Sequence, residues 1–129
     1  MDFEKAIWWG YLDEPMQDMM RESFTQLAYE KKQIEQGLPA KHDYSFIIFS
    51  AAKAYEGFLK KMLYDCKLIT KQQYFGDRFR LGKSLNPHLP KRYQWDWMFE
   101  KLTNLCGGEN TPLLLWETWK SARNRIFHY

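Results

Sequence analysis

The stretch DYSFIIFSAAKAYEGFLKKMLYDCK, residues 43–67, decides the fold class. Its apolar residues Tyr44, Ile47, Ile48, Ala51, Tyr55, Phe58, Leu59, Met62 and Leu63 recur mostly at steps of three and four, the period that lines side chains along one face of an α-helix. A half-buried strand would alternate apolar and polar residues instead. Asp43 suits the N-cap, because a short carboxylate accepts hydrogen bonds from the free N–H groups of a first turn. The helix is expected to run to about Lys67. Gly57 is either a mild propensity cost within it or a point where another helix comes close.

The same period extends outward on both sides. From Pro15 to Gln36, the residues Met16, Met19, Met20, Phe24, Leu27, Ala28 and Ile34 predict a second long amphipathic helix, with proline near its start and Gly37 just past its end. Leu38 to His42 then forms a short connection. Downstream, Leu68 to Tyr93 holds Gly76, Gly82, Pro87 and Pro90 and reads mostly as a basic loop, with a possible short helix over 70–75. A loop of that length is uncommon in a small domain unless it works or hides further structure. Gln94 to Cys106 predicts a shorter helix with Trp95, Met98, Phe99, Leu102 and Leu105 on one side, ended by Gly107 and Gly108. Thr111 caps a last helix with Pro112 in its first turn and Leu115, Trp116, Trp119, Ala122 and Ile126 as its buried stripe. Nothing alternates like a strand. The expectation is an all-α, antiparallel four-helix bundle with short accessory helices, residues 1–129 forming one domain. The tryptophan-rich segment from Phe3 to Tyr11 either adds a short helix or packs across the bundle.

Composition agrees with a folded core. An aromatic fraction of 18%, with six tryptophans, points away from disorder. Cys66 and Cys106 lie outside any CxxC or Cys/His ligand spacing, and the start MDFEKAIWWGYLDEP lacks the basic and apolar regions of a signal peptide. No apolar run approaches the roughly 20 residues of a membrane helix. A reduced, cytoplasmic protein that does not engage a membrane is therefore expected. The net charge of +3 is modest but unevenly spread: residues 1–35 hold eight acids against four bases, whereas residues 53–92 hold ten bases against three acids. The middle third can attract a polyanion such as RNA; the alternative is a solvated helix face whose lysine stems cover apolar surface.

Most catalytic signatures are missing. There is no GxxxxGK[ST] phosphate loop, GxGxxG, HExxH, GxSxG or EF-hand loop, and His42 and His88 stand in connections without ligand partners nearby in sequence. No metal and no cofactor are expected. The final helix differs, because beside its buried stripe it carries Arg123, Asn124, Arg125 and His128. Cleavage of RNA without a metal needs a base for the 2′-hydroxyl proton, an acid for the leaving oxygen and a fixed positive charge on the phosphoryl group. Histidine titrates near neutral pH and arginine stays charged, so these residue types suit those roles. The spacing is less suitable. Five residues turn about 140° around a straight α-helix and rise about 7.5 Å, so Arg123 and His128 share a face only if the helix distorts or a second copy completes the pocket.

RNRIFH, residues 123–128, resembles the R-x4-H motif of HEPN domains, in which the residue after the arginine is frequently asparagine. AAKAYEGFLKKML, residues 51–63, is similar to that family's alanine-rich segment, in which a glutamate is followed by a Leu-Lys pair, here Glu56, Leu59 and Lys60. WETWKSARNRIFHY and YFGDRFRLGKSL look similar to HEPN ribonuclease toxins of the RNase LS type. The resemblance implies a metal-independent endoribonuclease acting on tRNA or mRNA as a toxin or antiviral-defence effector. It also implies a homodimer with a composite active site, restrained by an antitoxin or another regulatory protein. By the same resemblance Arg123 binds the scissile phosphate, His128 transfers protons and Asn124 orients one of them. Glu56 is a positioning partner or, equally, a solvated residue paired with Lys60. Arg125 and Tyr129 are RNA contacts, the tyrosine by stacking, and Lys60, Arg78 and Arg80 add substrate-binding charge. One departure stands out: some of these toxins carry a tyrosine two residues after the histidine, whereas Tyr129 follows His128 directly. Two alternatives remain beside the nuclease, a non-catalytic module binding RNA or nucleotide and a helical interaction protein that docks through FEKAIWWGYL.

Overall fold

The computed structural model describes residues 2–124. Every regular element among them is helical, and the chain divides into two compact units, Met1–Phe58 and Leu59–Tyr129. The first opens with two 3-10 turns, Phe3–Lys5 and Ile7–Tyr11, followed by helix α1, Glu14–Glu35. α1 carries Pro15 in its first turn, as its sequence requires. Its inner stripe is Met16, Met20, Ser23, Leu27 and Glu30, spaced four, three, four and three. Phe24 and Ile34, which the apolar count places inside, are exposed instead, because two polar residues take inner positions. Each has a partner. The Lys41 ammonium pairs with the Glu30 carboxylate, which raises the Lys41 pKa above its ordinary value through their hydrogen bond. Ser23 Oγ accepts the backbone N–H of Ala51 at 2.9 Å.

α2 spans Phe49–Asp65, so its regular winding begins later than the sequence period suggests. The Asp43 carboxylate accepts both the N–H and the Oγ–H of Ser45, at 2.8 and 2.6 Å, and these bonds hold its carboxyl below the usual range. Residues Ser45–Ile48 accordingly wind as a 3-10 turn before the helix relaxes to α geometry. Gly57 on α2 marks a close approach: a Cβ there would meet Met16 Cε of α1 at 3.0 Å. α2 ends with Lys67 in the left-handed region, φ 60°, while the Leu68 N–H donates to the Leu63 carbonyl at 2.9 Å.

The second unit continues with α3, Lys71–Phe75, opened by a capping box in which Thr70 and Gln73 exchange side-chain and backbone hydrogen bonds. α4, Leu81–Leu85, is the structure hidden in the expected loop. Its Leu81 and Leu85, four apart, are both buried, as is Leu89 beyond it. A 3-10 turn over Lys91–Asp96 leads into α5, Met98–Cys106. That turn changes the phase of the chain: at three residues per turn Trp95 is carried off the buried side and is 88% exposed. α6 spans Asn110–Trp119, two residues longer at its start than Thr111 as a cap allows, with Pro112 still in the first turn and fully buried. The core of this unit includes Leu59, Leu63, Ile69, Leu81, Leu85, Leu89, Met98, Phe99, Leu102 and Pro112. At about 1.5–3 kcal/mol per large apolar side chain removed from water, these contacts dominate its stability.

α5 lacks a cap of its own, since Trp97 at the N-cap position has no side chain to accept from the first turn. Buried Ser84 of α4 supplies it. Its Oγ accepts the Met98 N–H at 3.1 Å and donates to the Asp96 carbonyl at 3.0 Å. Ser84→Ala leaves both buried groups unpaired and is expected to cost about 1–3 kcal/mol in urea unfolding. An unchanged midpoint would show that the hydroxyl does not cap α5.

Candidate nucleic-acid interface

Three of the ten cations of the middle third meet at one cleft of the second unit. α3, residues 76–80, α4 and the 91–96 turn enclose about 310 Å³, with Arg78, Arg80 and Lys83 among the lining residues. Three aromatic residues, Phe79, Tyr93 and Trp95, also line it. Tyr93 lies beneath cations, the Lys83 ammonium 4.3 Å and the Arg92 guanidinium 4.9 Å from its ring centroid, a cation–π arrangement. Trp95 lines the cleft with most of its indole open to solvent.

The Gln73 amide and the Asp96 carboxylate of the cleft are tied to one another. Gln73 Oε1 accepts the Thr70 N–H at 2.8 Å, and Gln73 Nε2 donates to Asp96 Oδ2. Asp96 Oδ1 accepts from Lys101 Nζ at 2.7 Å. The capping box that starts α3 therefore also fixes the amide inside the cleft.

α4 connects this cleft to the last helix. Lys83 lines the cleft, and its neighbour Gly82 lies against the indole of Trp119 on α6, where a Cβ would stand 2.8 Å from Trp119 Cε2 and closer still to Nε1. Beyond Trp119 the winding changes: Lys120–Asn124 forms a π-helical segment. Within it the half-buried Arg123 places its guanidinium carbon 5.7 Å from the Trp119 ring centroid. Such i→i+5 segments are rare and occur frequently at functional sites.

Of the residues singled out from sequence, Arg78 and Arg80 come together in the cleft. Arg123 stands beside Trp119, and Asn124 closes the π segment. Glu56 and Lys60 lie one turn apart on α2, Glu56 in the first unit and Lys60 in the second. Arg125, His128 and Tyr129 lie outside the described residues. Sequence reasoning missed Lys83, Tyr93 and Trp95 as cleft residues. The signal was the interleaving of bases with aromatics in RFRLGK and KRYQW, which the apolar period of the next helix obscured.

Among the described residues, no group of three or more His, Cys, Asp or Glu is placed to hold a metal ion, and no helix is long and apolar enough to cross a membrane. No family model, curated protein or solved structure matches this chain.

Because a rigid indole and not a flexible chain end meets Gly82, Gly82→Ala is expected to destabilise the protein by about 1–3 kcal/mol in chemical denaturation. The same substitution at exposed Gly10, where a Cβ meets nothing within 4 Å, serves as the comparison. Equal effects at the two positions would remove the Trp119 contact from this account.

Proposed function

We propose that this protein is an endoribonuclease of the HEPN type, with that family's antiparallel four-helix bundle as its fold. In this reading RNA is gathered at the cleft of the second unit and cut by the motif that contains Arg123, Asn124 and His128. The observation that carries the RNA part is the cleft: three cations beside an exposed Trp95 and a Tyr93 flanked by cations. Arginine and lysine meet phosphate oxygens, and aromatic rings stack on bases that are not paired.

One further feature supports cleavage: Arg123 is braced by Trp119, so its charge is positioned before a phosphate arrives. In the proposed chemistry His128 moves the proton, Arg123 stabilises charge on the phosphoryl group and Asn124 orients one of them. A second copy of the chain contributes its own motif to the same cleft, and an antitoxin or other regulatory protein holds the activity in check.

Purified protein is expected to degrade tRNA or mRNA in the presence of EDTA, with Arg123→Ala and His128→Ala each slowing the reaction at least about 100-fold. If the site is composite, mixing the two inactive variants restores part of the rate. Full activity in both single variants would sink the assignment of the motif. A second reading, an RNA-binding module without catalysis, draws on the same cleft, which has no histidine among its lining residues. Salt-sensitive RNA binding with no cleavage by the wild-type chain selects it.

A further inference from the structure

We infer that the cleft is a subsite for one nucleotide of single-stranded RNA that does not read the identity of the base. This rests on the reading of the protein as one that binds RNA, and it assigns the form of RNA and the residues that hold it. The inference follows from which groups in the cleft remain available. Gln73 has its carbonyl on the Thr70 N–H and its amide nitrogen on Asp96. Asp96 accepts at both oxygens, from Gln73 and from Lys101. Ser84 donates to the Asp96 carbonyl and accepts from Met98. The Gln73 amide, the Asp96 carboxylate and the Ser84 hydroxyl each hold a partner inside the protein and are withdrawn from reading a Watson–Crick edge, and base selection requires uncommitted donors and acceptors at fixed positions.

What the cleft offers instead is indifferent to sequence. Arg78 and Arg80, both exposed, present charge to phosphate oxygens. Trp95, 88% exposed on the same cleft, presents a flat face on which any base can lie. Stacking on that face demands a base free of its own neighbours, so a duplex is disfavoured. The volume of about 310 Å³ lies at the small end of ligand pockets, which fits one nucleotide and not a folded helix of RNA. Any sequence preference in cleavage must then originate elsewhere on the protein.

The test is fluorescence anisotropy of the full chain with labelled dodecamers that carry 2′-fluoro groups and so lack the hydroxyl needed for cleavage. Oligo-A, oligo-C and oligo-U are expected to bind within about fivefold of one another, and a mixed-sequence duplex at least about tenfold more weakly than its single strand. Trp95→Ala is expected to weaken single-strand binding about 5- to 100-fold, with Trp95→Phe retaining most of it. Arg78→Ala and Arg80→Ala should each lower the salt dependence of log K by about 0.7. Lys31→Ala, on α1 of the first unit, should change neither. Wild-type binding that Trp95→Ala leaves intact, that the duplex matches, or that varies more than tenfold among bases overturns this inference while RNA binding itself stands. No binding of any RNA by the wild-type chain overturns both.

Discussion

The seating of Trp119 on Gly82 is the contact on which the second unit's candidate interface depends. α4 is only five residues long and has no capping side chain at its start, so it does not persist on helical propensity alone. It is held by burial of Leu81 and Leu85 and by the approach of the α6 indole to the one position where a side chain is absent. That approach places Lys83 on the cleft, and the guanidinium carbon of Arg123 lies 5.7 Å from the centroid of the same indole. Cleft and motif are thereby tied to one aromatic ring.

A second regularity is that helix starts borrow their caps from across the fold. The Ala51 N–H of α2 donates to Ser23 Oγ of α1, and the Met98 N–H of α5 donates to Ser84 Oγ of α4. Both serines are buried, an environment in which an unpaired hydroxyl or N–H is costly. A single side chain thus joins two elements and fixes the register of one against the other. In the second unit the same serine also donates to Asp96, so the start of α5 and the floor of the cleft are positioned together.

These long-range devices explain what the sequence did and did not disclose. The all-helical class, the extent of α1 and the body of α2 were legible, because steps of three and four over some twenty residues leave little choice, whereas the 3-10 turn over Ser45–Ile48 ahead of α2 was not. α4 was not, since five residues flanked by Gly76 and Pro87 give no measurable period, and its stabilising contact comes from Trp119, far along the chain. Trp95 was assigned to the wrong side because the turn before α5 winds at three residues, not 3.6, and the period was extrapolated through it. Ser23 and Glu30 show the converse, polar residues at inner positions that hydrophobicity alone sends to the surface. For the site, Arg78 and Arg80 were found through charge, whereas Trp95 had been counted in the apolar stripe of the next helix and Tyr93 lay in a stretch read as loop.

The proposed RNA contact lies on the second unit, at the cleft joined through Trp119 to Arg123. The six tryptophan indole N–H signals in a proton–nitrogen correlation spectrum report on this directly, since Trp8 and Trp9 lie in the first unit and Trp95 and Trp119 in the second. On titration with an uncleavable single-stranded oligonucleotide, the Trp95 signal should move most and the Trp119 signal should follow, with Trp8 and Trp9 unchanged. Movement confined to Trp8 and Trp9 would contradict the account and place the interaction surface on the first unit instead.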